Sequence, residues 1–293
     1  MQLNEITANG QTISLEQLAK DTQLAEEVQI NLFRLGLLDP PADGKFGRFS
    51  IQALKYFQSL IKISEAGIGS QTSKALLEVK EAIPLQLGND LASRIIKYMR
   101  SKMYFVALGE KRYNIVYVEG ASADGTPNAD TQNEWNDRRM VIEIASGTPK
   151  IVGNWVATTE PGTFYIKHPM NLNGAARIAF GQYQAWQVGI HNQNHEALVQ
   201  RGQVKVHRDR NKDGFRTGDA IYIGSDFGIN QHWGFDLPKV GVASAGCLVG
   251  QSRDSHREFM ALIKKDARYQ LNNKYVYFTT VIPGDDLAKT FPA

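Results

Sequence analysis

The chain has 293 residues, 42% hydrophobic and 22% charged, a normal globular composition and enough length for two ordinary domains or one large one. A formal charge of +3 and a pI near 8.8 suit contact with an anionic polymer but do not imply nucleic acid, because no Lys/Arg cluster is interleaved with aromatics. No stretch reaches the roughly 18 apolar residues needed to cross a bilayer, and the single cysteine excludes an intrachain disulfide.

The opening "MQLNEITANGQTISLEQLAKD" has no basic start followed by an apolar run, so no secretory signal peptide is expected. Residues 24 to 79 read as helical. "LAEEVQINLFRLGLL" sets Leu24, Val28, Leu32 and Leu35 at helical spacing, with Gly36 and Pro40 near its end. After the turn-rich "DPPADGKFG", "SIQALKYFQSLIKI" gathers Ile51, Leu54, Tyr56, Phe57 and Leu60 on or near one face, with Ser50 as its expected N-cap. A third short helix follows "EAGIG", capped by Ser70. Residues 1–82 are therefore expected to hold a compact three-helix bundle of about 55 residues. "PLQLGNDLASRIIKYMRSKMYFVA" reads as a connector helix within 83–112, with Leu91, Ile95, Ile96 and Met99 as its apolar stripe.

From about residue 113 the period changes to two. "YNIVYVE", "RMVIEIA", "KIVGNWVATT", "TFYIKH", "ARIAF", "QAWQVGIH", "QVKVH" and "AIYIG" are short strand-like runs between turn residues. "GASADGTPNADTQNEWND" reads as a long, mobile polar loop. "SRDSHREFMALIKKD" reads as a helix and "KYVYFTTVI" as the last strand. The expected fold class is α+β, a small three-helix bundle followed by a mostly antiparallel β domain over 113–293.

"VQINLFRLGLLDPPADGKFGRFSIQALKYFQ" with "GIGSQTSKALL" resembles the three-helix peptidoglycan-binding domain that accompanies many wall enzymes. The matching positions are Val28-Gln29, Leu35-Gly36, Asp43-Gly44, Phe46-Gly47, Phe57-Gln58, Gly67-x-Gly69 and Thr72. The resemblance implies peptidoglycan as partner, with Asp43 and Phe46 at the binding surface.

The chain's one cysteine, Cys247, lies in "VGVASAGCLVG". A lone cysteine is most often a small buried hydrophobe. A cysteine nucleophile instead needs a base or positive field to make its thiolate, and backbone N–H groups near the developing oxyanion. The small residues "SAG" would let the backbone approach a substrate, and His232 lies 15 residues upstream in "FGINQHWG". "HWGFDLPKVGVASAGC" resembles the active-site segment of the L,D-transpeptidase domain, and "ATTEPGTFYI" resembles a hairpin of that family. The resemblance covers roughly residues 113–281. It implies His232 as base, Gly241 as the loop glycine, Ser244 and Gly246 as motif residues and Cys247 as nucleophile. Two motif positions differ: the second histidine is Ala245 here and the arginine is Val249. Hydrolysis, transfer and a non-catalytic binding role all stay open, with no cofactor expected.

Other constellations stand beside it. His191 and His195 in "HNQNH" have helical zinc spacing, which keeps a zinc amidase or peptidase as an alternative, although the run before them is strand-like. His191, Trp186 and Trp233 are candidate walls of a substrate cleft. Asp209, Asn211 and Asp213 begin a calcium-loop pattern whose twelfth position is Ala220 rather than Glu. The expected reading is a peptidoglycan-binding wall enzyme with no membrane span. It is made in the cytoplasm and reaches the wall by release or by a phage- or injection-type route.

Overall fold

The structure, a computed structural model, describes all residues from Met1 to Ala293. It divides into two compact units. The first is Met1–Gln86 with Phe105–Arg112 and Ile144–Thr148; the second is Leu87–Tyr104, Tyr113–Glu143 and Pro149–Ala293.

The first unit holds α1 (Leu3–Asn9), α2 (Leu15–Lys20), α3 (Thr22–Arg34), α4 (Arg48–Leu60) and α5 (Ser70–Glu78). Leu3, Ile6, Leu18, Leu24, Val28, Leu32, Leu54, Phe57 and Leu76 are buried as its core. Two helices therefore precede the expected three. Ser14 and Gln17 form a capping box at the start of α2, with reciprocal hydrogen bonds of 3.2 and 2.9 Å. The expected serine caps are also corrected. Gly47 and Gly69 occupy the N-cap positions of α4 and α5. Ser50 is inside α4, where its Oγ accepts from Gln29 Nε2 at 3.0 Å. At α5 the Glu65 carboxylate, rather than an N-cap side chain, accepts the N–H groups of Gly69, Gln71 and Thr72. The Asp43–Phe46 turn is tied to α3 by Gln29, whose Oε1 accepts from Asp43 N and Gly44 N at 3.0 and 2.7 Å.

The second unit contains α6 (Leu91–Ser101) and most of a closed eight-stranded barrel. The strands are β1 (Gly109–Glu119), β2 (Asp137–Ile144), β3 (Lys150–Thr158), β5 (Gly181–His191), β6 (His195–Gln200), β9 (Gln231–Trp233), β10 (Leu248–Gly250) and β11 (Val276–Pro283). Their order around the barrel is β1-β11-β5-β6-β9-β10-β3-β2. A separate three-stranded sheet has the order β4 (Ala175–Ile178), β7 (Val204–Asp209), β8 (Ala220–Gly224). Four helices complete the unit: α7 (Thr163–Lys167), α8 (Arg253–Ile263), α9 (Ala267–Leu271) and α10 (Gly284–Thr290).

The fold class expected from sequence is therefore corrected. The molecule is not a three-helix bundle followed by a mostly antiparallel sheet but a mixed closed barrel with ten helices. β1 pairs with β11, and β9 with β10, in parallel. Alternation of apolar residues reports which face of a strand is buried and says nothing of the direction of its neighbour. The run "TFYIKH" is corrected as well: it forms α7 rather than a strand.

Candidate active site

β9 and β10 run side by side with Leu248 opposite Gln231, Val249 opposite His232 and Gly250 opposite Trp233. Leu248 N donates to Asn230 O at 2.9 Å. Residues two apart on a strand share a face, and paired residues point the same way. Val249 and His232 therefore face one side, and Cys247 lies just before β10, two residues before Val249.

The turn before Cys247 is held by its own small residues. Ser244 Oγ donates to Cys247 O at 2.9 Å and accepts Gly246 N–H at 3.1 Å. Ser244 O accepts from Gly162 N at 2.9 Å, which binds the turn to the segment between β3 and α7. Gly246 has φ +122°, and a Cβ there would lie 2.4 Å from Ala176 O. Ser244 and Gly246 thus shape the turn. With Gly246 N–H committed to Ser244, the N–H of Cys247 itself is the nearby donor left for an oxyanion.

The thiol is only 9% exposed. It donates to Gly228 O at 3.3 Å and receives Asn230 N–H at 3.4 Å, and neither bond is to a histidine. Burial pushes its pKa up to about 11, partly opposed by the Asn230 N–H. His232 is buried too, and loss of water, then the neighbouring His191, bring its pKa down to about 3. Its Nδ1 is 2.8 Å from Trp233 O. A carbonyl only accepts, so Nδ1 carries the proton of the neutral ring and Nε2 keeps the lone pair. Thiol and imidazole are both neutral near pH 7. Burial therefore opposes moving the proton from one to the other.

Four of the six histidines pack together here. His191 stacks on His232 with centroids 4.1 Å apart and planes 9° apart; His195 stacks on Trp233 at 3.9 Å. His256 on α8 lies 6.2 Å from His195. Asn230 organises the stack. Its Oδ1 accepts Gln200 N–H at 2.8 Å, which turns its Nδ2 toward His191 Nδ1 at 2.9 Å. His191 Nδ1 is then an acceptor, and Asn192 Nδ2 lies 3.0 Å from His191 Nε2. His256 Nε2 donates to Glu196 O at 2.9 Å, leaving Nδ1 to accept from Arg139 Nη1 at 3.2 Å. His195 is 6% exposed, and neither of its ring nitrogens has a partner. Burial brings His195 down to about 4 and His256 to about 2.

The zinc reading of His191 and His195 assumed a helix. They are instead opposite one another across the end of the β5–β6 hairpin, 5.4 Å between centroids, with His191 already engaged at both nitrogens by asparagines. Trp186 does not line a cleft: it is fully buried, and its Nε1 donates to Ile229 O at 2.8 Å. Trp233 is half-buried, flanked by the guanidinium groups of Arg253 and Arg257 at 5.9 and 5.5 Å. Asp43 and Phe46 belong to the first unit, where Asp43 Oδ1 accepts from Gln29 Nε2 and Lys45 N, and Phe46 is buried. Asp209 spends its carboxylate on the N–H groups of Asp213 and Gly214, while Asn211 Nδ2 donates to Asp213 Oδ2. That is the bonding of an Asx-type turn.

Sequence reasoning missed two groups. The first is Asn230, Arg139 and His256 around the histidine stack. Asn230 had a legible signal, two residues before His232 on a strand-like run. The second is a buried ionic network behind the Cys247 turn, which alternation alone does not disclose. Glu119, Asp137 and Glu160 surround Arg177 and Thr159. Arg177 Nη2 reaches Glu119 Oε1 at 2.9 Å and is hydrogen-bonded to Glu160, and Arg216 pairs with Glu119. Asp137 accepts Thr159 N–H at 2.6 Å and Gly120 N–H at 2.8 Å. Burial raises Glu160 to about 7 and Asp137 well above the usual carboxylate range. Glu119 stays low despite burial because Arg216 and Arg177 face it. Oxygens of Glu119, Asp130 and Glu160 lie within 4.8 Å of one another, but the Arg177 guanidinium already supplies the positive charge there.

No family model matches the chain, and no curated protein matches it. Among solved structures, one described as a fused Zn-dependent amidase/peptidase/peptidoglycan-binding domain-containing protein from Clostridium acetobutylicum aligns over 93% of this chain and 99% of its own. The identity is 11% and the TM-score 0.27, too low to argue fold or function.

Proposed function

We propose that the chain is a cell-wall enzyme that cleaves or transfers peptidoglycan stem peptides through a Cys247 thioester. The observation that supports the reading is the parallel β9–β10 ladder, which pairs His232 with Val249, two residues after Cys247. The wall as substrate comes from the resemblances of the 28–77 and 232–247 segments. In the mechanism, His232 Nε2 takes the proton from Cys247 Sγ, while Trp233 O holds the Nδ1 proton in place. The thiolate attacks a stem-peptide carbonyl, and the Cys247 N–H faces the developing oxyanion. The tetrahedral intermediate collapses to a thioester as the amine leaves with the proton from His232. Water then gives hydrolysis; a second amine gives transfer.

Purified wall digested with wild type, Cys247→Ala and His232→Ala, followed by separation of the released fragments, tests this. New fragments are expected with wild type and absent with both variants. Three identical profiles would overturn it. A second reading, wall binding without catalysis, is favoured by the buried, protonated thiol with no histidine bond. It predicts unchanged wall sedimentation and no new fragments from any of the three proteins.

A further inference from the structure

The segment between β1 and β2, expected to be a mobile loop, is bound across the approach to Cys247. Asn133 holds it: Asn133 O accepts Val240 N–H at 3.1 Å, and Asn133 Oδ1 accepts Gly241 N–H at 2.7 Å and Thr163 N–H at 3.0 Å. Trp135 Nε1 donates to Leu237 O at 2.8 Å, and Lys239 pairs with Glu134. The Trp135 ring lies against Gly234, where a Cβ would meet it at 2.3 Å. Together with Phe235 and Leu237, Trp135 packs on the cluster of Ala243, Cys247 and Val249. These contacts add cover to the cluster that holds Cys247.

Two further features mark the cover as a separable element. Asn133, Phe235 and Asp236 all have φ above +60°, a conformation that non-glycine residues adopt only when their surroundings hold them there. Trp135 also borders a cavity of about 360 Å³, lined with Asn128, Asp130, Asn136 and Arg138.

We infer that Asn133 is the latch of a lid, formed by residues 131–135 together with 235–241, that keeps Cys247 shielded and protonated until it opens. The inference rests on the thioester reading for its purpose but not for its test. Opening re-hydrates the site, which lowers the thiol's pKa and raises that of His232, so the nucleophile becomes competent in the open form. Because Asn133 is left-handed, glycine is the substitution that removes its side chain without backbone strain. Aspartate keeps the acceptor for Gly241 and Thr163.

The full chain carries one cysteine, so alkylation by iodoacetamide followed by intact mass reads Cys247 alone. Asn133→Gly and Trp135→Ala are each expected to speed native alkylation by about tenfold or more, with Asn133→Asp near the wild-type rate. The faster labelling should depend only weakly on low concentrations of urea, as expected for a local opening. Wild-type rates in both Asn133→Gly and Trp135→Ala would overturn the lid. So would acceleration that follows the urea dependence of global unfolding. Wild-type labelling as fast as that of the unfolded chain would overturn it too. If the fragments released from wall do not depend on Cys247, the enzyme reading fails while the lid stands or falls by the labelling rates.

Discussion

Gly246 and Ser244 set the direction in which Cys247 leaves its turn, and each makes a prediction at the level of one atom or two. A methyl at Gly246 meets Ala176 O at 2.4 Å, on a backbone that L-residues avoid. Gly246→Ala is expected to destabilise by about 2 kcal/mol or more, read as a drop in urea midpoint. Ser244 is fully buried and satisfies two groups of the turn. Ser244→Ala leaves Gly246 N–H unpaired in the interior, an expected loss of about 1–3 kcal/mol. An undiminished midpoint for Ser244→Ala would mean that the turn holds without it. The resemblance gathers Ser244, Gly246 and Cys247 into one turn, and in the structure Ser244 Oγ bonds both Gly246 N–H and Cys247 O. It could not disclose that the thiol faces Gly228 O and Asn230 N rather than a histidine, since those bonds depend on which strands meet.

At the scale of elements, the histidine stack joins the β5–β6 hairpin, β9 and α8. His195, His232 and His256 are held neutral by burial, at about 4, 3 and 2. Their folded values lie below the ordinary 6.5, so the unfolded chain binds more protons between 6.5 and those values. Stability is therefore fully present above about pH 6.5 and falls as the pH drops, by roughly 1.4 kcal/mol per pH unit for each histidine in that range. Glu160 and Asp137, raised by burial, act with the opposite sign from about pH 4.5 to 7 and soften the first part of the decline. The urea midpoint should fall gently from pH 7 to 5 and steeply below 4.5. His195 has no hydrogen bond to lose, so His195→Phe should flatten the decline between about pH 6.5 and 4; an unchanged decline there would remove His195 from the account. Element positions were largely legible in the sequence: α3, α6, α8 and β11 follow from apolar spacing and capping residues. Strand direction was not, because period two is common to parallel and antiparallel pairs, and α1 and α2 were overlooked although Leu3, Ile6 and the Ser14–Gln17 box signal them.

Across the second unit, one buried network connects the ends of β1 and β2, the segment after β3, and β4, through Glu119, Asp137, Thr159, Glu160 and Arg177. Through Gly162 the same segment supports Ser244, so distant strands set the Cys247 turn. Arg177→Met strips the counter-charge from buried carboxylates and is expected to cost about 3–5 kcal/mol, read as a lowered melting temperature. The proposed chemistry depends on Cys247 taking an acyl group. The direct measurement is the intact mass of the full chain after incubation with peptidoglycan fragments and an acid quench. An acyl adduct that peptide mapping places on Cys247, absent in Cys247→Ala, is the predicted result. An unmodified Cys247 in a sample where wall fragments are nonetheless being cleaved would contradict it.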